Sequence, residues 1–271
     1  MSLIHGKKFV FIVSSGRTGT KAIAQHLSHC YPEVWARHEP SPSWRLRMGT
    51  TRELCGRITR EELVGRLVKL RRGLVAGVGE SVYVESNPYL AGFVGVLGEV
   101  FEEVRVVHVV RDARTYVRSG VNFGAFRGLK KLAAEWWPDW WPKPERCKSE
   151  FGFKWGEMDS IERLAWFWKL VNEKLNEGEG IYGARYLRIT FEELFAGDGE
   201  GLLRLTDWMG LKRSSGIAEE ARRERVNASR REVLPEWEKW CGGDQAKVMR
   251  HCEGLMRMYG YVKERAAVEV S

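Results

Sequence analysis

Three groups of residues in this chain could do chemistry together. Ser14, Ser15, Gly16, Arg17, Thr18, Gly19, Thr20 and Lys21 run consecutively and put hydroxyls, two glycines and two cations into one short stretch. Glycines let a turn tighten until backbone N–H groups point outward, and hydroxyls and cations at the same spot suit a phosphate-like anion. Arg111 and Ser119 stand eight positions apart, a guanidinium able to grip a phosphate in two places and a hydroxyl able to donate once. His38 and Glu39 offer an imidazole and a carboxylate, either able to take a proton from a substrate hydroxyl.

Each group follows an element that could hold it. Residues 9–13 form a continuous β-branched and aromatic run, the pattern of a parallel strand buried on both faces. The small-residue turn follows, and a helix is expected from Thr18 with Ile23, Ala24 and Leu27 on its apolar side. A strand, a tight turn and a helix N-terminus together make an anion site, because unpaired first-turn N–H groups and the helix dipole point the same way. Residues 33–37 read as a second strand ending in His38-Glu39-Pro40. The carboxyl ends of strands are where open α/β sheets bind ligands. Residues 104–110 are a second clear buried strand, running into Arg111 and a helix over 112–122 that carries Ser119.

The remaining pattern is that of an α/β chain. Residues 41–56, with one proline and three basic residues, read as a loop. Thr59 with Glu61 and Glu62 caps a helix to about 72, and 74–85, broken by Gly77 and Gly79, reads as one bulged strand or two short ones. Asn87-Pro88 opens a helix to about 99, and Asp159 with Glu162 caps a long helix whose apolar positions step by three and four. A strand over 186–190, a short helix over 201–209 and a final helix over 244–259 complete the pattern. The stretch from about 128 to 156 holds three prolines and five tryptophans (Trp136, Trp137, Trp140, Trp141, Trp155). It reads either as core filling or as a semi-rigid wall over a substrate pocket. Residues 213–231 are the most basic, and no internal repeat appears, so a single domain over 1–271 with an insertion at 128–156 is expected.

Composition narrows the class without deciding it. The 271 residues are 44% apolar and 30% charged, an ordinary globular balance, with no run long enough to span a membrane. The five cysteines are odd in number and widely spaced, so reduced thiols and a cytoplasmic location are expected rather than a disulfide framework or a zinc site. The net charge of +8 suits an anionic ligand and would equally suit nucleic acid. The basic residues are dispersed, however, and no nucleic-acid recognition motif appears.

The turn does not fit a nucleoside-triphosphate loop. With Gly19 as the second glycine of that motif, position 14 should be Gly and is Ser14, and position 20 should be Lys and is Thr20. Gly16-Arg17-Thr18-Gly19-Thr20 instead resembles the 5′-phosphosulfate loop of sulfotransferases that use 3′-phosphoadenosine 5′-phosphosulfate (PAPS). Arg111-Asp112-Ala113-Arg114 with Ser119 resembles their 3′-phosphate site, with Ala113 where Pro is common. Phe167-Trp168 with Asn172, residues 186–194, and Leu255-Met256 with Tyr259-Gly260-Tyr261 resemble further parts of that family, so the likeness spans about residues 9–261. Two departures stand out: Lys21 replaces a usual second Thr, and the Gly-rich adenosine clamp is missing, leaving 226–229 with Asn227 to take its place.

The resemblance implies a three-layer α/β sandwich on a mostly parallel sheet and a metal-free transfer from PAPS to a small-molecule or carbohydrate acceptor. It assigns the donor to Ser15, Gly16, Arg17, Thr18, Gly19, Thr20, Lys21, Arg111, Ser119 and Asn227. It makes Arg17 the cation at the leaving oxygen and Glu39 the base, 22 positions on, with His38 as rival. Glu80 and Glu85 are weaker candidates, in a region where they could pair with arginines. The competing expectations are a P-loop kinase-like phosphotransferase, which would need Mg²⁺, and a non-catalytic basic module binding a nucleotide or nucleic acid.

Overall fold

The computed structural model describes residues 3–147, 152, 154–212, 216 and 233–263. Five strands form one parallel sheet: β1 (Lys8–Val13), β2 (Val34–His38), β3 (Val82–Ser86), β4 (Val104–Val110) and β5 (Tyr186–Thr190), in the order β2-β3-β1-β4-β5. β1 lies between β3 and β4, with Ile12 opposite Ser86 on one side and Val107 on the other. Central position explains its unbroken apolar run, because both faces must be covered. Phe9, Phe11 and Val13 turn to one side, against Leu46 of helix α2 (Trp44–Leu54), Leu63 and Leu67 of α3 (Arg60–Ala76) and Val171 and Leu175 of a long later helix. Val10 and Ile12 turn to the other, against Ile23 and Leu27 of α1 (Thr20–Cys30) and Leu202 and Leu205 of a helix near residue 200. The result is helices, sheet, helices: the three-layer α/β architecture that the sequence implied.

Several boundaries follow the sequence signals closely. The Thr59 hydroxyl and the Glu62 carboxylate cap α3 reciprocally. After a 3₁₀ stretch (Pro88–Val96), the short α4 (Leu97–Val100) and β4, Asp112 caps α5 (Ala113–Asn122). Then come α6 (Leu129–Trp136), α7 (Ser160–Tyr182), α8 (Phe191–Leu194), α9 (Glu200–Met209) and the closing α10 (Gly242–Met258). Asp159 accepts from the Glu162 N–H at 2.9 Å at the start of α7.

Three expectations are corrected. Residues 41–56 are not a loop: after Pro42 they form α2, whose Leu46 is fully buried. Helix α2 rests on the 3₁₀ stretch so closely that a Cβ on Gly92 would come within 2.6 Å of the Thr50 Cα. Tertiary packing, not propensity, stabilises it. The apolar start of 74–85 belongs to the end of α3, and only Val82–Ser86 is strand. Cys55 and Cys147 are joined by a disulfide, while Cys30, Cys241 and Cys252 are free. No helix among the described residues is long and apolar enough to cross a membrane.

Beneath the carboxyl edge of the sheet lies a fully buried ion pair. Arg71 of α3 grips Glu85 of β3 through Nε and Nη2, each at 2.7 Å. Tyr83 and Asn87 also donate to that carboxylate, at 2.8 and 2.7 Å. The Ser43 hydroxyl takes a hydrogen bond from Arg71 and another from Asn87. Burial and the adjacent Glu85 carboxylate push the Tyr83 phenol far above its usual range. Arg71→Met should therefore cost about 3–5 kcal/mol in denaturant unfolding, because Glu85 is left buried without its counter-charge. Arg71→Met/Glu85→Leu should regain most of that loss. A single variant as stable as the parent chain would show that the pair is not what holds this corner.

Candidate active site

The three groups singled out in the sequence meet at the carboxyl edge of the sheet. The turn after β1 is built on left-handed backbone, with φ of 87° at Gly16, 57° at Arg17 and 68° at Gly19. A Cβ on Gly19 would lie 2.4 Å from the Phe195 ring, so only glycine fits there. The Ser14 hydroxyl braces the turn by accepting from the Gly16 N–H at 3.0 Å and from the Thr18 hydroxyl at 2.8 Å. Helix α1 starts at Thr20, two residues later than expected, which leaves Thr18 and Gly19 inside the turn. Lys21 is exposed on the first turn of α1. The Ser15 hydroxyl is buried and has no hydrogen-bond partner among the described residues. A buried orphan hydroxyl in a tight turn that leads into a helix N-terminus fits an anionic ligand that supplies the acceptor.

Arg111, 94 residues further on, is brought onto this turn. Its Nη1 donates to the Arg17 carbonyl at 2.6 Å and its Nε to the Thr115 hydroxyl at 3.0 Å. Arg17 in turn donates from Nε to the Ser119 hydroxyl at 3.1 Å and lies 4.5 Å from the centre of the Phe123 ring. Arg111 lies 4.3 Å from the ring of Phe191. Burial lowers the pKa of both guanidiniums from the ordinary arginine value. Two half-buried cations and a hydroxyl thus share a small volume, and an anion is the natural complement. The backbone under Arg111 is fixed by Trp168 of α7, whose indole N–H donates to the Arg111 carbonyl at 2.9 Å. Asn172, one turn on, holds the buried His108 on β4. That ring also meets the Tyr186 hydroxyl at 2.7 Å, and burial lowers its pKa to about 3. His108 is therefore a neutral brace between β4, β5 and α7.

His38 and Glu39 sit across the edge, at the end of β2. Glu39 has φ of 46°, and its N–H donates to the Ser86 carbonyl at 2.9 Å. The Ser86 hydroxyl donates to the Thr20 carbonyl at 2.7 Å, so its hydrogen is committed to the anion turn. His38 Nδ1, 3.3 Å from that hydroxyl oxygen, must then carry the proton of their contact, which leaves Nε2 as the acceptor of the neutral ring. Nε2 faces Glu39 Oε1 at 3.4 Å. Burial, and then the nearby Lys21, lower the His38 pKa, while burial raises that of Glu39 against the opposing pull of Arg47. The two groups are pushed toward each other and can share one proton. Glu85 is engaged with Arg71 and is not available for this work.

Arg47 is the residue the sequence did not reveal, since its stretch read as loop. Its Nε donates to the Trp140 carbonyl at 2.7 Å, and its guanidinium carbon lies 4.3 and 4.9 Å from the Trp140 and Trp141 rings. Burial lowers its pKa, with Tyr89 and Glu39 opposing. The Trp-rich stretch is fastened beside it. Asp139 (φ 61°) is buried and receives Arg52 at 2.8 Å and Arg57 at 2.7 Å. Burial would raise its pKa, but those two arginines hold it below the usual carboxylate value. The Cys55–Cys147 disulfide closes the same seam. The five tryptophans divide: Trp155 is core, Trp141 packs on Phe126 and Phe167, Trp140 covers Arg47, and Trp136 and Trp137 are exposed. No group of three or more His, Cys, Asp or Glu side chains that could hold a metal ion occurs among the described residues. Asn227 lies outside the described residues.

The comparisons with known proteins agree with this geometry at the level of fold. No protein-family model matches the chain, and no curated protein sequence does either. Among solved structures, the chain is similar to the sulfotransferase domain from the curacin biosynthetic pathway, at TM-score 0.56 and 12% identity over 94% of this chain and 98% of that one. It is also similar to mouse sulfotransferase SULT7A1, solved in complex with PAP, at TM-score 0.55 and 13% identity over 96% of this chain and 91% of that one. The chain has the sulfotransferase fold.

Proposed function

We propose that this protein transfers a sulfuryl group from PAPS to a hydroxyl, or an amine, of a carbohydrate or small-molecule acceptor. The observation that carries the reading is the convergence of the two anion motifs: Arg111 on the Arg17 carbonyl, and Arg17 on the Ser119 hydroxyl. A ligand with one anionic group in the turn after β1 and a second beside Arg111 and Ser119 has the charge layout of a 3′-phosphorylated nucleotide phosphosulfate. In this reading Ser15, Gly16, Thr18, Gly19 and Thr20 hold the phosphosulfate, with Lys21 at its rim. The fold shared with SULT7A1, which was solved with PAP, supports the same donor.

In the transfer, the acceptor oxygen attacks sulfur while the bond from sulfur to the bridging oxygen breaks, and the electrons remain on the leaving phosphate. Arg17 stabilises the charge that grows there, more in the transition state than in the ground state. Glu39 takes the acceptor proton, and His38 Nε2, 3.4 Å from the carboxylate, stands where it can share it. The products are the sulfated acceptor and adenosine 3′,5′-bisphosphate.

A thermal-shift series tests the donor class: adenosine 3′,5′-bisphosphate should raise the melting temperature without metal, whereas ATP with Mg²⁺ or an oligonucleotide should not. Stabilisation by ATP with Mg²⁺ alone would favour a phosphotransferase, and by the oligonucleotide alone a nucleic-acid module. Labelled PAPS with a panel of acceptors then tests turnover.

Arg17→Ala should lower kcat about 10²–10³-fold while weakening bisphosphate binding less, since its role is greatest in the transition state. Near-parental turnover would remove Arg17 from the chemistry.

Arg111→Ala and Ser119→Ala should weaken adenosine 3′,5′-bisphosphate more than adenosine 5′-phosphosulfate, which lacks the 3′-phosphate. Calorimetry with both ligands decides it, and equal losses would make the pair structural.

Glu39→Gln should lower turnover about 10²-fold or more and leave bisphosphate binding intact. The base works only when deprotonated and its pKa is raised, so kcat/KM of the parent enzyme should fall with decreasing pH through an acid limb above the ordinary carboxylate range. A limb at an ordinary carboxylate value, or one that survives in Glu39→Gln, would assign the proton transfer elsewhere.

A further inference from the structure

Helix α6 is amphipathic the wrong way round. At about 100° per residue, Leu129, Leu132 and Trp136 fall within an arc of roughly 60°. Surface helices turn such a stripe toward the core. Here Ala134, the helix's one buried residue, lies on the opposite side, while Leu129 is 84% and Trp136 80% exposed. Leu132, the adjacent Trp137 and Phe123 at the end of α5 are each about half exposed and extend the apolar surface. Single exposed apolar residues need no explanation, but five on and around one short helix do.

The charges around this helix are mostly positive. Arg127, Lys130 and Lys131 are all exposed, and the helix's single acid, Glu135, is met only loosely by Lys131 at 3.8 Å. Lys130 Nζ lies 3.5 Å from the centre of the Phe123 ring, the same ring that takes the Arg17 guanidinium. The surface therefore reaches to the edge of the anion turn. Tryptophan and leucine flanked by lysine and arginine is the composition of segments that lie in the interface of an anionic bilayer. There the rings enter the headgroup region and the cations meet lipid phosphates. A second copy of the chain fits less well, because pairing this surface with itself would set three cations against three.

We propose that the α6 surface, with Phe123 and Trp137, docks the protein on an anionic lipid bilayer, with the mouth of the anion turn beside the membrane plane. The proposal concerns a binding surface and stands apart from the transfer reaction. The full chain should co-sediment with vesicles rich in phosphatidylglycerol, much less with phosphatidylcholine alone, and less as salt is raised. Leu129→Ser/Trp136→Ser and Lys130→Gln/Lys131→Gln should each lower the partition coefficient about tenfold or more without changing the melting temperature. If the first double variant melts early, Trp136→Ser alone is measured in its place. The proposal is overturned if the parent chain does not sediment with anionic vesicles, or binds both lipids alike. It is overturned equally if light scattering without vesicles finds a dimer that Trp136→Ser dissolves.

Discussion

The carboxyl edge of the sheet depends on one buried charge pair. Arg71 and Glu85 are both fully buried, and two ions taken out of water must have every donor and acceptor satisfied to be tolerated. That demand recruits Tyr83, Asn87 and Ser43, and the Ser43 hydroxyl passes the chain on to the Pro40 carbonyl. The network therefore fixes where α3, the end of β3 and the corner 40–43 stand relative to one another. Glu39 precedes that corner and α2 follows it. The proposed base and the helix that carries Arg47 take their positions from a pair of charges that is fully buried.

The anion turn poses a different problem: it is assembled from unfavourable backbone. Non-glycine residues in the left-handed region cost on the order of 1 kcal/mol each, and among the described residues they are Arg17, Glu39, Glu103 and Asp139. Three of these four lie in the elements that surround the candidate site, and each is held by a specific partner. Arg111 grips the Arg17 carbonyl, Ser86 accepts from the Glu39 N–H, and Arg52 and Arg57 neutralise Asp139. Strain that gathers at such places, each with a partner to hold it, sets the candidate site apart from the rest of the sheet edge.

What the sequence disclosed follows the same physics. β1 and β4 were legible because central strands buried on both faces cannot hide their apolar runs. α3 and α7 were legible at their starts because Thr59 with Glu62, and Asp159 with the Glu162 N–H, are local contacts. The turn and the Arg111–Ser119 pair were legible because an anion must be met by particular side chains at particular spacings. α2 was not, since its stability comes from Leu46 entering the core and Thr50 resting on Gly92, and neither contact shows in a run that opens on a proline and carries three basic residues. β3 was blurred for a related reason: Leu74 and Val75 are apolar because they finish a helix, not because they start a strand.

The Trp-rich stretch was least legible, and Arg47 shows why. Tryptophan density around residues 136–155 could mean core or pocket wall, and the structure answers residue by residue rather than for the stretch as a whole. Trp155 is core, while the backbone of Trp140 is held by a guanidinium from 93 residues earlier. That guanidinium is buried against the Trp140 and Trp141 rings and opposes the burial that raises the Glu39 pKa. One side chain thus links the wall to the base. Moving the wall would move Arg47, and moving Arg47 would change how readily Glu39 holds a proton. Coupling of this kind runs between elements distant in sequence, through a charge whose importance depends on being buried, and burial is what a run of letters does not display.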